Sequence, residues 1–211
     1  MNQSDQHVED IKVIRKIMEE SSRFLSLSGL SGIMAGLIAI AGAIAAKVII
    51  EKYSPSAEWY SAPFTTDPEG RKMLVLLLAD MAVVLILALA GAVVFSSRKA
   101  RKSGLTVWTP VTRRMLTSLI LPLLTGGLFI ILTITSVPVY VTVASTMIFY
   151  GLAVVSAGKF TFGEIHWLGV LEIAAGLICL LFPAGALLIW VAGFGAIHIV
   201  YGLFMHLRYK G

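Results

Sequence analysis

Hydrophobic positions in this chain are gathered into six long runs, and polar positions fall almost entirely between them. The runs are Leu25 to Ile50, Met73 to Phe95, Met115 to Ser136, Val139 to Ala157, Ile165 to Phe182 and Ala184 to Leu207. A hydrocarbon core about 30 Å thick is crossed by roughly 20 apolar residues in a helix, and the runs meet that length. None alternates with period two, and open strands would leave backbone groups unsatisfied in lipid, so the runs are read as helices. The pattern therefore predicts an all-α, polytopic membrane protein with six transmembrane helices arranged as three helical hairpins, over 25–95, 115–157 and 165–207. These form one transmembrane domain spanning 25–211. Ahead of it, Val8, Ile11, Ile14, Ile17 and Met18 recur at helical spacing, which predicts a cytoplasmic amphipathic N-terminal helix within 1–24, covering Val8 to Phe24.

The spans also resemble one another. Gly36-Leu37-Ile38-Ala39-Ile40, Gly127-Leu128-Phe129-Ile130-Ile131 and Gly176-Leu177-Ile178-Cys179-Leu180 fall at matching places in the first, third and fifth runs. Ile148-Phe149-Tyr150-Gly151-Leu152 matches Ile199-Val200-Tyr201-Gly202-Leu203, with Gly91 at the corresponding place in the first hairpin. An internal repeat of hairpins is the reading, packed around an axis along the membrane normal. Small residues let helices approach closely where lipid offers no hydrophobic drive. Gly29, Gly32 and Gly36 are expected to pack on one face, Gly193, Gly195 and Gly202 mark the sixth run, and Gly91 is expected to face outward from the second.

Composition strengthens the membrane reading. The chain is 57% hydrophobic and 14% charged, against roughly a quarter charged in soluble domains. The net charge of +5 does not point to nucleic acid, because the basic residues sit beside membrane ends. Arg98, Lys99, Arg101, Lys102, Arg113 and Arg114 lie between the second and third runs, Lys159 between the fourth and fifth, and Arg208 and Lys210 at the tail. By the positive-inside rule this side, with both termini, is cytoplasmic, and a bacterial-type inner (cytoplasmic) membrane is expected. The expected partners are the lipid bilayer and anionic lipid headgroups at the basic loop, with a homo-oligomer or a cytoplasmic protein partner compatible with the N-terminal helix. Mixed charge at Asp5, Glu9, Asp10, Glu19 and Glu20 does not read as a secretory leader.

The stretch Glu172-Ile173-Ala174-Ala175-Gly176-Leu177, Phe182-Pro183 at the turn, Gly195-Ala196-Ile197, Tyr201-Gly202-Leu203 and Arg208 resembles the hairpin unit of HdeD-type bacterial membrane proteins. The resemblance covers Leu168 to Arg208 well, the middle hairpin weakly and the first hardly at all. It implies six spans built from short hairpins and an association with acid-stress resistance, without an established chemical activity.

Ionisable residues inside the runs are the candidates for function, because charge in hydrocarbon is costly and marks polar pathways or partners. Asp80 lies about two turns into the second run, Glu172 near the middle of the fifth, and His198 in the sixth. With the short turn at Pro183 folded back, Glu172 and His198 fall about one turn apart and can share a proton or a hydrogen bond. Asp80, Glu172 and His198 thus form a candidate intramembrane polar site. Pro122 is expected to kink the third run, with Thr117 or Ser118 satisfying freed backbone groups. No enzyme, cofactor or metal is expected: Glu164, His166 and His206 read as solvated helix ends, Cys179 stands alone, and no nucleophile triad, H-E-x-x-H or phosphate loop occurs. The expected function is a stress-associated or scaffolding membrane protein. The alternatives are a small proton-coupled transporter or channel using the three residues, and a sensor recruiting a cytoplasmic partner through the N-terminal helix.

Overall fold

The computed structural model describes residues 28–208 apart from 55, 57, 66, 103 and 105; the helix expected over 8–24 lies outside the described residues. Six helices account for nearly all of the rest: α1 Gly29–Tyr53, α2 Pro68–Lys102, α3 Pro110–Thr133, α4 Val139–Gly158, α5 Gly163–Leu181 and α6 Pro183–Arg208. All six are long and apolar enough to cross a membrane, so the chain is a multi-pass, all-α membrane protein.

Several helices outrun the apolar runs that predicted them. Hydropathy marks the hydrocarbon segment, whereas helices continue through the interface where charged residues can be hydrated. α1 extends past Ile50 through Glu51-Lys52-Tyr53, with Lys47 and Glu51 one turn apart at 3.8 Å on an exposed face. α2 runs from Pro68, well before Met73, to Lys102, well after Phe95. Its start is set by Asp67, whose carboxylate accepts from the Glu69 and Gly70 amides at 3.2 and 3.3 Å, with proline at the first helical position. α3 begins at Pro110, not Met115, because Thr109 and Thr112 form a reciprocal capping box. Pro122 sits inside α3 without ending it. Thr117 donates to the carbonyls of Arg113 and Arg114, so it does not serve the Ser118 carbonyl that the proline leaves without an amide donor.

The 54–67 loop, the 134–138 turn and the turn at Phe182 lie at one face, the hairpin face; the start of α1 and the end of α6 lie at the other, the basic face. At the hairpin face the loop is fastened to α4. The Val139 and Tyr140 amides, unpaired donors at a helix start, bond to the Ala62 and Tyr60 carbonyls at 3.1 Å each. At the basic face Arg208 of α6 reaches Glu164 at the start of α5 at 3.0 Å.

The tightest packing runs between hairpins rather than within them. α4 and α5 share the most extensive interface, α1 lies between α2 and α6, and α3 packs on α4. α2 and α3 stand at the edges and are not packed along one another. Small residues dominate the centre, where Ala39, Ala43, Ala144, Ala175, Cys179 and Ala186 surround Met147 and Trp190.

Two of these interfaces carry the same atomic contacts. A Cβ placed on Gly36 of α1 would meet the Gly195 carbonyl at 2.6 Å and the Ile199 amide at 3.1 Å; on Gly176 of α5 it would meet the Ala144 carbonyl at 2.9 Å and the Ile148 amide at 3.1 Å. Gly202 lies against the Gly29 carbonyl and Ile33 amide, and Gly151 against the Gly169 carbonyl and Ile173 amide, with both carbonyls at 2.6 Å from the added Cβ. Backbone meets backbone here, so no side chain larger than hydrogen fits without displacement. Gly91 is not outward-facing as expected: it is buried, with the Met34 methyl 3.8 Å from where its Cβ would be. Gly127 of α3, by contrast, faces open space.

Candidate functional site

Glu172 on α5 is fully buried, and His198 on α6 almost so. His198 Nδ1 stands 3.2 Å from Glu172 Oε1 and 3.2 Å from the carbonyl of Gly193. The ring N–H points at the Gly193 carbonyl, since neither carboxyl oxygen receives a well-directed hydrogen bond; Oε1 lies beside that bond rather than along it. The other ring nitrogen, Nε2, is 2.8 Å from the hydroxyl of Tyr150 on α4. With the proton on Nδ1, the Tyr150 hydroxyl donates to Nε2, a tautomer assigned from these partners. Glu172, His198 and Tyr150 thus form a polar chain joining α5, α6 and α4.

The backbone of α6 makes room for this chain. Val191–Ile197 is wound as a π-helix, a rare form that recurs at functional positions. Gly193 lies within it, and a Cβ there would come 2.8 Å from Glu172 Oε2 and 3.4 Å from the Met147 sulfur, so a larger residue would push the carboxyl aside. The His198 ring stacks on Phe194 at 5.8 Å and 20°, and Phe194 contacts Trp190 at 4.9 Å and Tyr150 at 5.0 Å. α1, on the other side of α6, brings no titratable group here; its Gly32 faces the His198 carbonyl.

The sequence candidates therefore separate into two places. Glu172 and His198 come together. Asp80, half-buried on α2, is one of the residues lining an apolar cavity between α1, α2, α3, α4 and α6, and its Oδ2 would be 3.6 Å from a Cβ on Gly42; neither Glu172 nor His198 lines that cavity. Tyr150 was not singled out as a site residue. Its available signal was its place in the pentad shared with Tyr201, a hydroxyl in an otherwise apolar run. Gly193 and the π turn carried no site signal beyond a cluster of small residues.

At the basic face a cleft of about 610 Å³ is lined by Arg98, Lys99, Arg101, Lys102 and His206 together with Ser28 and Phe95. Glu164 is engaged by Arg208. Among the described residues no three His, Cys, Asp or Glu side chains converge as metal ligands would.

Compared with family models, with curated proteins and with solved structures, the chain matches none. What stands on the geometry is a six-span integral membrane protein with a buried Glu–His–Tyr chain at its centre.

Proposed function

We propose that this is a non-enzymatic, proton-responsive membrane protein in which Glu172, His198 and Tyr150 govern how α4, α5 and α6 hold together. The observation that carries the reading is the 3.2 Å approach of His198 Nδ1 to Glu172 Oε1 with both side chains buried. Histidine is the side chain whose charge changes nearest neutrality, and a change of charge at a buried contact alters packing more than the same change in water. Among the described residues, the titratable groups that face His198 from the packed helices are Glu172 and Tyr150. Conduction is less well supported than a packing response, because neither the apolar cavity nor the basic cleft includes Glu172 or His198 in its lining.

The HdeD-type resemblance over Leu168 to Arg208, which covers Glu172 and all of α6, supports an acid-stress setting. Clustering of Arg98, Lys99, Arg101, Lys102, Arg113, Arg114 and Lys159 at one face supports a bacterial-type inner membrane with both termini in the cytoplasm, and the basic cleft suits anionic lipid headgroups.

The test is thermal unfolding of the purified protein in lipid nanodiscs from about pH 5 to pH 8. The wild-type midpoint should move with pH, and the movement should be flattened in Glu172→Gln and His198→Asn. A midpoint whose pH dependence is identical in wild type and both variants would overturn the reading.

A further inference from the structure

We infer that the apolar cavity flanked by α2 and α3 is a binding site for one acyl chain of a bilayer lipid. The cavity holds about 170 Å³, and its wall is carbon almost throughout, with Asp80, Thr142 and Thr146 contributing nearly no polar surface. Ala43, Leu77, Ile130, Val143 and Trp190 form its sides, and Trp59 and Phe64 of the 54–67 loop stand over it.

The cavity follows from an interface that does not form. α1 approaches α6, and α5 approaches α4, through Gly29 and Gly36 in one case and Gly169 and Gly176 in the other. Under the same alignment α3 carries Gly127 at the place of Gly36 and Gly176, but Ile120 at the place of Gly29 and Gly169. A β-branched side chain there is incompatible with the glycine-to-backbone approach that both other helices make. α3 accordingly does not close on α2, Gly127 looks into open space, and a gap stays between the two helices.

What can enter is decided by what surrounds the gap. Leu78 and Met81 of α2 both line the cavity and are among the exposed residues, so the cavity opens sideways into hydrocarbon. From the hairpin face it is covered by a loop whose Ala62 and Tyr60 carbonyls are bonded to the start of α4. Apolar cavities of about 150 Å³ stay dry and take up apolar molecules, and lipid tails are as apolar as the leucines around them. The occupant that is present at high concentration beside the opening is an acyl chain.

Trp190 supplies the measurement, since it lines the cavity yet is only 8% exposed. In a protein retaining only that tryptophan (Trp59→Phe, Trp108→Phe, Trp167→Phe), reconstituted into phosphatidylcholine vesicles with brominated acyl chains, quenching of its emission beyond that seen when the cavity is narrowed requires a chain to enter. A roughly twofold fall is expected, as for a site occupied about half the time. Ala43→Phe and, separately, Ala46→Leu narrow the cavity and should restore the emission. A protein retaining only Trp167, which is exposed and lies within α5, should be quenched with or without those changes and so reports insertion in the bilayer. Equal Trp190 emission in brominated and plain vesicles would overturn the inference, as would quenching by aqueous iodide in its place.

Discussion

His198 meets Glu172 at 3.2 Å while the same ring nitrogen donates to the carbonyl of Gly193. The imidazole is therefore held by its own helix and does not depend on the carboxyl for its orientation. Removing the acid and removing the ring are then different perturbations.

Glu172→Gln keeps the size and most of the hydrogen-bonding capacity of the side chain but cannot titrate. It should fold normally and lose the pH response. Glu172→Leu leaves the Nδ1 bond to Gly193 intact and removes no well-directed hydrogen bond, so it should cost less than the about 0.6 kcal/mol that an interhelical hydrogen bond is usually worth in a membrane. Unfolding in detergent measures both. Neither the wild type nor either variant should carry protons across reconstituted vesicles, and a wild-type flux abolished by Gln in a folded protein would reassign the site to transport.

Glycine contacts give a second prediction. Gly36→Val and Gly176→Val force side chains against the Gly195 and Ala144 carbonyls and should destabilise to a similar extent, by about 1–3 kcal/mol or more if the helices cannot shift. Gly127→Val points into open space and should leave the melting temperature nearly unchanged. Thermal melts of the three variants in one detergent decide this directly.

How much of this was legible before the fold was known depends on which force sets each feature. Span number and approximate position follow from the length of hydrocarbon to be crossed, so the six runs were readable from Leu25 to Leu207. The Glu172–His198 meeting was readable too, because the short turn at Pro183 fixes the register of α5 against α6. The order of helices around the bundle is set by packing across hairpins, which no local pattern encodes. That is why Asp80 could not be separated from Glu172 in advance, nor Tyr150 joined to His198. The π winding of Val191–Ile197, which carries Gly193 past the Glu172 carboxyl, likewise follows no local pattern that could be read in advance.

The start of α2 gives a pH prediction outside the bilayer. The Thr65 hydroxyl first, then the Gly70 amide, holds the exposed Asp67 carboxyl below its ordinary value of 3.8. A lowered folded value means that the stabilisation is fully present above the ordinary carboxylate range and is lost as pH falls through the folded value. Amide exchange at Glu69 and Gly70 should therefore be protected at neutral pH in wild type, faster in Asp67→Ala, and equal in the two proteins once the carboxyl is protonated.

Orientation is tested by single cysteines in a Cys179→Ala background. A cysteine at Ser61 should react with a membrane-impermeant maleimide on intact cells, and one at Gly104 only after permeabilisation. The opposite pattern would invert the proposed topology.

The wide turn in α6 has a mechanical consequence. An α-helix advances about 100° per residue, so residues four apart drift by about 40° around the axis and residues eight apart by about 80°. The broader winding of a π segment, closed by i→i+5 bonds, offsets that drift. Trp190, Phe194 and His198 therefore rise as one column along α6, with adjacent ring centroids 4.9 and 5.8 Å apart. One end of the column borders the cavity that opens to lipid, and the other abuts the buried acid. A continuous column of rings thus runs from the wall of the apolar cavity to the side of the buried Glu172 carboxyl, so that Trp190 and the imidazole are joined through one intervening ring.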